Sequence, residues 1–159
     1  MVKNKKKRKP YSERSDIGKI KSNWNKTRGL YDRGEWSGAI VRAATAVEIA
    51  ANLVIREELQ VNRKLEKDFV DNLLIWANGI QGKLDRLILP ISKGSNKHKI
   101  FTTAKIKIAS INKERNSIAH SGQFKKKSTA RHIISVSKEV IEILVQQYSA
   151  DFSLNAMDV

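Results

Sequence analysis

Apolar residues return every three or four positions along most of this chain, and that period predicts helices rather than strands. Ile17, Ile20, Trp24 and Tyr31 fall on one face of a first helix, from about Asp16, a suitable N-cap, to about Arg33. Gly34 follows as a stop. Trp36, Ile40, Ala43, Val47, Ala51 and Val54 mark a second helix, ending at about Leu59. Ala43, Ala44, Ala46, Ala50 and Ala51 within it let a neighbouring helix come close. After a polar link over 60–64, Phe69, Leu73, Trp76, Ile80, Leu84 and Leu87 register a third helix from about Glu66 to Leu89. Gly79 and Gly82 weaken it internally, and Pro90 ends it. The stretch 91–97, with Gly94 and Ser95, reads as a loop. Phe101, Ala104, Ile108, Ile111, Arg115 and Ile118 share a face of a fourth helix from about His98 to His120, closed by Gly122. A basic turn over 123–127 leads to a fifth helix from Ser128 to about Tyr148, carried by Ile133, Val136, Val140, Ile143 and Leu144.

No alternating strand pattern and no internal repeat interrupts this series. Short links between helices make antiparallel neighbours, so the predicted fold is an all-α bundle of roughly four to five helices. Residues 16–148 form the expected domain, residues 1–15 a disordered basic tail and residues 149–159 a C-terminal tail. Trp24, Trp36 and Trp76 sit at helical spacing among apolar neighbours and are expected in the core rather than as stacking platforms for bases.

Composition sharpens the picture. A length of 159 residues makes one domain the default. The chain opens on lysines instead of an apolar signal segment and has no apolar run of roughly eighteen residues, so no membrane span is expected. It has no cysteine, which excludes a disulfide framework and any thiolate-bound metal and fits a reducing, cytoplasmic interior. The formal net charge of +15 points to a polyanionic partner, with nucleic acid ahead of an anionic membrane or an acidic protein. The charge is uneven, gathering over 3–28 and again over 93–131. Two such blocks make a binding face if the fold brings them together.

The candidate chemistry lies at the end of the fourth helix. Arg115 occupies a position that periodicity gives to the apolar face, where an unpaired guanidinium is costly. Either it pairs with a carboxylate at the core's rim or it faces a cleft, where its planar fork suits phosphate. His120 follows after a rise of about 7.5 Å and a rotation of about 140°, with Asn116 projecting between them. A histidine in a last helical turn is often a surface or capping group, but it can also give or take a proton near neutral pH. Glu48, the sole acid in the apolar run 39–55, is either a surface glutamate or the carboxylate that holds Arg115. Lys113, Lys125, Lys126, Lys127 and Arg131 surround the motif in sequence and are candidate contacts for RNA phosphates.

The segment Glu114-Arg115-Asn116-Ser117-Ile118-Ala119-His120-Ser121-Gly122 resembles the signature of the HEPN superfamily, an Arg and a His separated by four to six residues, commonly with a polar residue directly after the Arg. The turn Gly34-Glu35-Trp36 before an alanine-rich helix carrying Glu48 is similar to the front half of many such domains, and the resemblance covers about residues 16–148. It implies a HEPN-like bundle and, in many members, an endoribonuclease needing neither metal nor cofactor. It also implies a site at a homodimer interface, a toxin or anti-phage defence role, and a nucleotidyltransferase-like antitoxin as a frequent partner. Such cleavage uses the ribose 2′-OH as nucleophile and needs an acid, a base and a stabiliser of phosphorane charge. Under that resemblance His120 is the general acid or base, Arg115 the phosphate clamp and Asn116 an orienting group, and an isologous dimer supplies the second histidine. Other branches are non-catalytic modules that bind nucleic acid, nucleotide or protein.

Overall fold

The computed structural model describes residues 9–157, and it is all-helical. Residues 1–8, most of the expected disordered tail, lie outside the described residues. From residue 9 the chain is already folded against the first helix. Tyr11–Glu13 form a single 3₁₀ turn, and Asn23 donates a 2.8 Å hydrogen bond to the Tyr11 hydroxyl.

Helix α1 spans Asp16–Asp32, and its N-cap is Ser15 rather than Asp16. The Ser15 hydroxyl accepts from the Gly18 amide at 3.1 Å, while Asp16 sits in the first turn and binds Arg56 at 2.8 Å. Gly34, at φ 77°, turns the chain into α2, Trp36–Arg56, whose last turns continue as a π-helix over Glu57–Asn62. Ala39, Ile40, Ala43, Ala46, Val47, Ala50, Ala51 and Val54 are all buried, too many positions for a single stripe. Helix α2 is therefore the axis of the bundle, contacted by α1 on one side and by the later helices on others. The segment Trp36–Asn62 is long and apolar enough to cross a bilayer by length and composition, yet most of it lies inside the protein.

The predicted third helix is broken. α3 covers Lys67–Trp76, the chain turns at Ala77 and Asn78, and α4 (Gly79–Lys83) runs through a π-helical Leu84–Ile88 into α5 (Leu89–Ser92). Gly79 adopts φ 75°, which no continuous helix allows. Pro90 does not end the helix as expected: the chain stays helical through it to Ser92, directly after the π-helical stretch. The break rotates α3, so Val70, Leu74 and Ala77 face inward, while Phe69 and Trp76 are exposed at 53% and 58%. Trp24 is buried as expected and Trp36 partly so.

The fourth helix also divides, into α6 (Asn96–Thr103) and α7 (Lys105–Ser121). Thr102 and Thr103 turn their hydroxyls onto the carbonyls of His98 and Ile100, and the Ala104 amide drops back to Phe101 in 3₁₀ fashion. Helix α8 spans Lys127–Gln146 and packs on α2. The residues after Tyr148 are not a loose tail. Phe152 and Leu154 are buried, and Trp24 and Arg28 of α1 donate to the carbonyls of Asn155 and Ala156.

Buried Glu58 ties the far end of α2 to the rest of the fold. It accepts from Tyr148 at 2.6 Å, Lys97 at 2.8 Å and Arg63 at 2.9 Å. Burial alone would raise its pKa, but these donors outweigh it and hold the carboxyl at about 2. Burial and the same carboxylate push the Tyr148 phenol upward. A depressed folded-state pKa contributes stability above about pH 4.5, which is lost as pH falls toward about 2. The contribution is about 3 kcal/mol. Thermal unfolding followed by circular dichroism should therefore show Tm falling across that window, and Glu58→Gln should flatten the fall while lowering Tm at pH 7.

Candidate functional site

The end of α7 is set by sequence-local rules. Gly122 adopts the left-handed conformation (φ 60°) and its amide returns to the Ile118 carbonyl at 3.2 Å. The Gln123 amide reaches the Ser117 carbonyl at 3.3 Å, completing a Schellman-type stop. This stop places His120 in the last turn, where it is exposed.

Helical spacing then arranges the polar groups. Lys113, Asn116 and His120 recur at i, i+3 and i+7 and share one face of α7. Arg115 starts on a different face and is partly buried. Its guanidinium runs round the helix and donates to Asn116 Oδ1 at 3.1 Å. That bond joins the Arg115 charge to the Asn116 amide, one helical turn before His120. Among the described residues Arg115 has no carboxylate partner.

Glu48 does not supply one. It binds Lys83 at 2.9 Å, and the Lys83 side chain is 5% exposed. The reason is topological. Lys83 reaches α2 from α4 and also donates to the Ala77 carbonyl at 3.3 Å, so a buried ammonium needs the single acid on that stretch of α2.

The basic turn separates into two roles. The Lys125 ammonium lies 2.7 Å from Glu114, with both side chains mostly covered, and its amide donates to the Ser37 hydroxyl at 2.9 Å. Lys125 therefore pins the turn to α7 and to the start of α2 instead of offering a free charge. Lys126, Lys127, Ser128 and Arg131 line a cleft of about 410 Å³ at the start of α8. The first amides of α8 have no side-chain cap. An uncapped helix start ringed by three exposed cations favours a phosphate. The Lys127 ammonium also sits 5.8 Å over the Trp36 ring and 6.0 Å over Tyr31. The turn further exposes Phe124, at 96%, beside the motif.

Local spacing revealed Arg115, Asn116, His120 and the exposed lysines. It missed Ser37 and Glu114, whose role as anchors appears only once distant segments meet, and it missed Phe124, which a basic turn conceals. Among the described residues no group of three or more His, Asp and Glu side chains is placed to hold a metal ion. No family model, no curated protein and no solved structure matches this chain.

The Glu48–Lys83 pair yields a direct test of structural against chemical roles. Glu48→Ala strands a buried ammonium and should cost on the order of 2–3 kcal/mol in urea unfolding. Glu48→Ala/Lys83→Met should recover most of that loss. Unchanged stability in Glu48→Ala would return Glu48 to the candidate site.

Proposed function

We propose that this chain is a metal-independent endoribonuclease of HEPN type, cutting RNA at a site assembled between two copies. The observation that carries the reading is the Arg115–Asn116 hydrogen bond, which sets a guanidinium on an amide one helical turn before the exposed His120. The three groups match what metal-free RNA cleavage requires. The imidazole moves a proton to or from the ribose 2′-OH or the leaving oxygen, Asn116 orients, and Arg115 meets the charge that grows on phosphorus. One chain brings a single histidine to this face, so the acid and the base come from two protomers. Phe124 offers the apolar contact such a pairing would bury. The cleft at the start of α8 would hold a neighbouring phosphate. A cytoplasmic toxin or anti-phage defence effector restrained by a nucleotidyltransferase-like antitoxin belongs to the same reading.

A second reading, a non-catalytic HEPN-like module for nucleic acid, nucleotide or protein, is favoured by that same α8 cleft, since it can bind phosphate without His120. Mixed cellular RNA incubated with the protein in EDTA separates the two. Wild type should leave fragments ending in 2′,3′-cyclic phosphate. His120→Ala and Arg115→Ala should each cut at least about 100-fold more slowly with the fold intact. A requirement for added metal, or equal cleavage by His120→Ala, would sink the enzyme reading. RNA binding with no cleavage by wild type would establish the module.

A further inference from the structure

A second concavity is lined by none of the residues of the Arg–His motif. It is a groove of about 810 Å³ along α1. Its floor is Gly18, Ser22, Asn25 and Gly29, spaced i, i+4, i+7 and i+11 and so stacked within about 60° of one helix face. Lys21 stands on one rim and Lys26 and Arg33 on the other, with Arg14 and Arg42 reaching in from outside the helix. No carboxylate lines it. Among the described residues Arg14, Lys21, Lys26 and Arg42 have no acidic partner, and Arg33 binds only the exposed Glu35.

Three independent features point to the same ligand. Glycine inside a helix is unfavourable unless something must come close, yet a Cβ added at Gly29 would meet nothing within 4 Å except the Arg33 guanidinium, at 3.4 Å. Packing inside the protein therefore gives no reason for that glycine, whereas a ligand backbone lying on the floor would. The floor from Gly18 to Gly29 is about 16 Å long, the length of some five stacked nucleotides at ~3.4 Å each. At the groove's mouth the half-exposed Tyr11 ring lies 5.8 Å from Arg14 and from Lys26, the pairing of cations with an aromatic face that single strands use.

We propose that the α1 groove is a binding channel for single-stranded RNA, its cations on the phosphates and Tyr11 against a base. The groove stands on its own geometry; the choice of RNA over DNA rests on the ribonuclease reading. Arg33 lines the groove near the end of α1, and Trp36, which opens α2, lies under Lys127 at the start of α8.

The test measures binding apart from cleavage. Fluorescence anisotropy of a labelled single-stranded RNA of roughly twelve nucleotides is followed in EDTA across a salt series, with every variant built in the full His120→Ala chain. Lys21→Glu/Lys26→Glu should weaken binding at least about 10-fold at low salt and make the slope of log K against log salt shallower by about 1.4, two single-strand phosphate contacts. Lys26→Glu/Arg33→Glu should do the same, which matters because Lys21 also lies over the Phe152 ring. Lys93→Glu/Lys99→Glu, with the same change in net charge elsewhere, should stay within about 2-fold of the parent. Tyr11→Ala and Gly29→Leu should weaken binding with the slope unchanged. Equal losses in the control pair, an unchanged slope in both groove variants, or competition by duplex RNA as effective as by the single strand would overturn the proposal. Wild type that binds through the groove and does not cut leaves the channel standing and removes the nuclease. Wild type that cuts, with groove variants binding as the parent does, removes the channel and leaves the nuclease.

Discussion

Helix α2 has almost no outside, and the rest of the protein is arranged around that constraint. A helix buried on most of its circumference cannot carry large side chains everywhere, because interiors are packed close to crystal density. The alanines at 39, 43, 44, 46, 50 and 51 resolve this by letting neighbouring helices approach its backbone, while Ile40, Val47 and Val54 fill the gaps. The charged groups on α2 are each answered from another element: Arg42 by Asn23, Glu48 by Lys83, and Arg56 by Asp16 and Asp71. Both ends are tied as well, Ser37 to the Lys125 amide and Glu58 to Lys97, Arg63 and Tyr148. The register of α2 therefore fixes where the turn after α7 lies, and with it the spacing between His120 and the start of α8.

What could be read from the chain follows from how far apart the deciding residues are. The courses of α1, α2 and α8 were legible because each buries a face whose period is internal to it. The region 66–121 was not, because its breaks depend on competing local hydrogen bonds. Gly79 needs a positive φ, and the threonine hydroxyls before Ala104 take carbonyls that a straight helix would use. A period count cannot register either, and so Phe69 and Trp76 were assigned to a face that the break turns outward. At the site, Asn116 and His120 were legible because i, i+4 geometry is local. The partner of Glu48 was not, since Lys83 lies 35 residues away. The α1 groove was also hidden, because its wall takes Arg42 from α2 and Arg14 from a segment expected to be disordered.

The formal charge of +15 acquires meaning only after this sorting. Some cations belong to the fold: Lys83, Arg56, Lys97 and Lys125 hold carboxylates that join separate elements. Others have no acidic partner among the described residues; some of these, such as Lys64, Lys93 and Lys99, lie apart, while seven gather in two places. Arg14, Lys21, Lys26 and Arg42 gather at α1, and Lys126, Lys127 and Arg131 at the start of α8.

Helix polarity adds a direction to that arrangement. The C-terminal carbonyls of α7 repel an anion, and the uncapped amides of α8 attract one. Under the proposed reading, a neighbouring phosphate settles against the start of α8, while Arg115, bonded to Asn116, meets the scissile one. In that reading the imidazole of His120 moves a proton instead of pairing with the anion, and Lys125 pins the turn that follows it. Proton transfer needs a base next to the phosphate and free to exchange, whereas a simple anion trap would be better served by another cation. Under the proposed reading, this geometry is why the one histidine of the motif stands at the end of α7 rather than among the lysines that open α8.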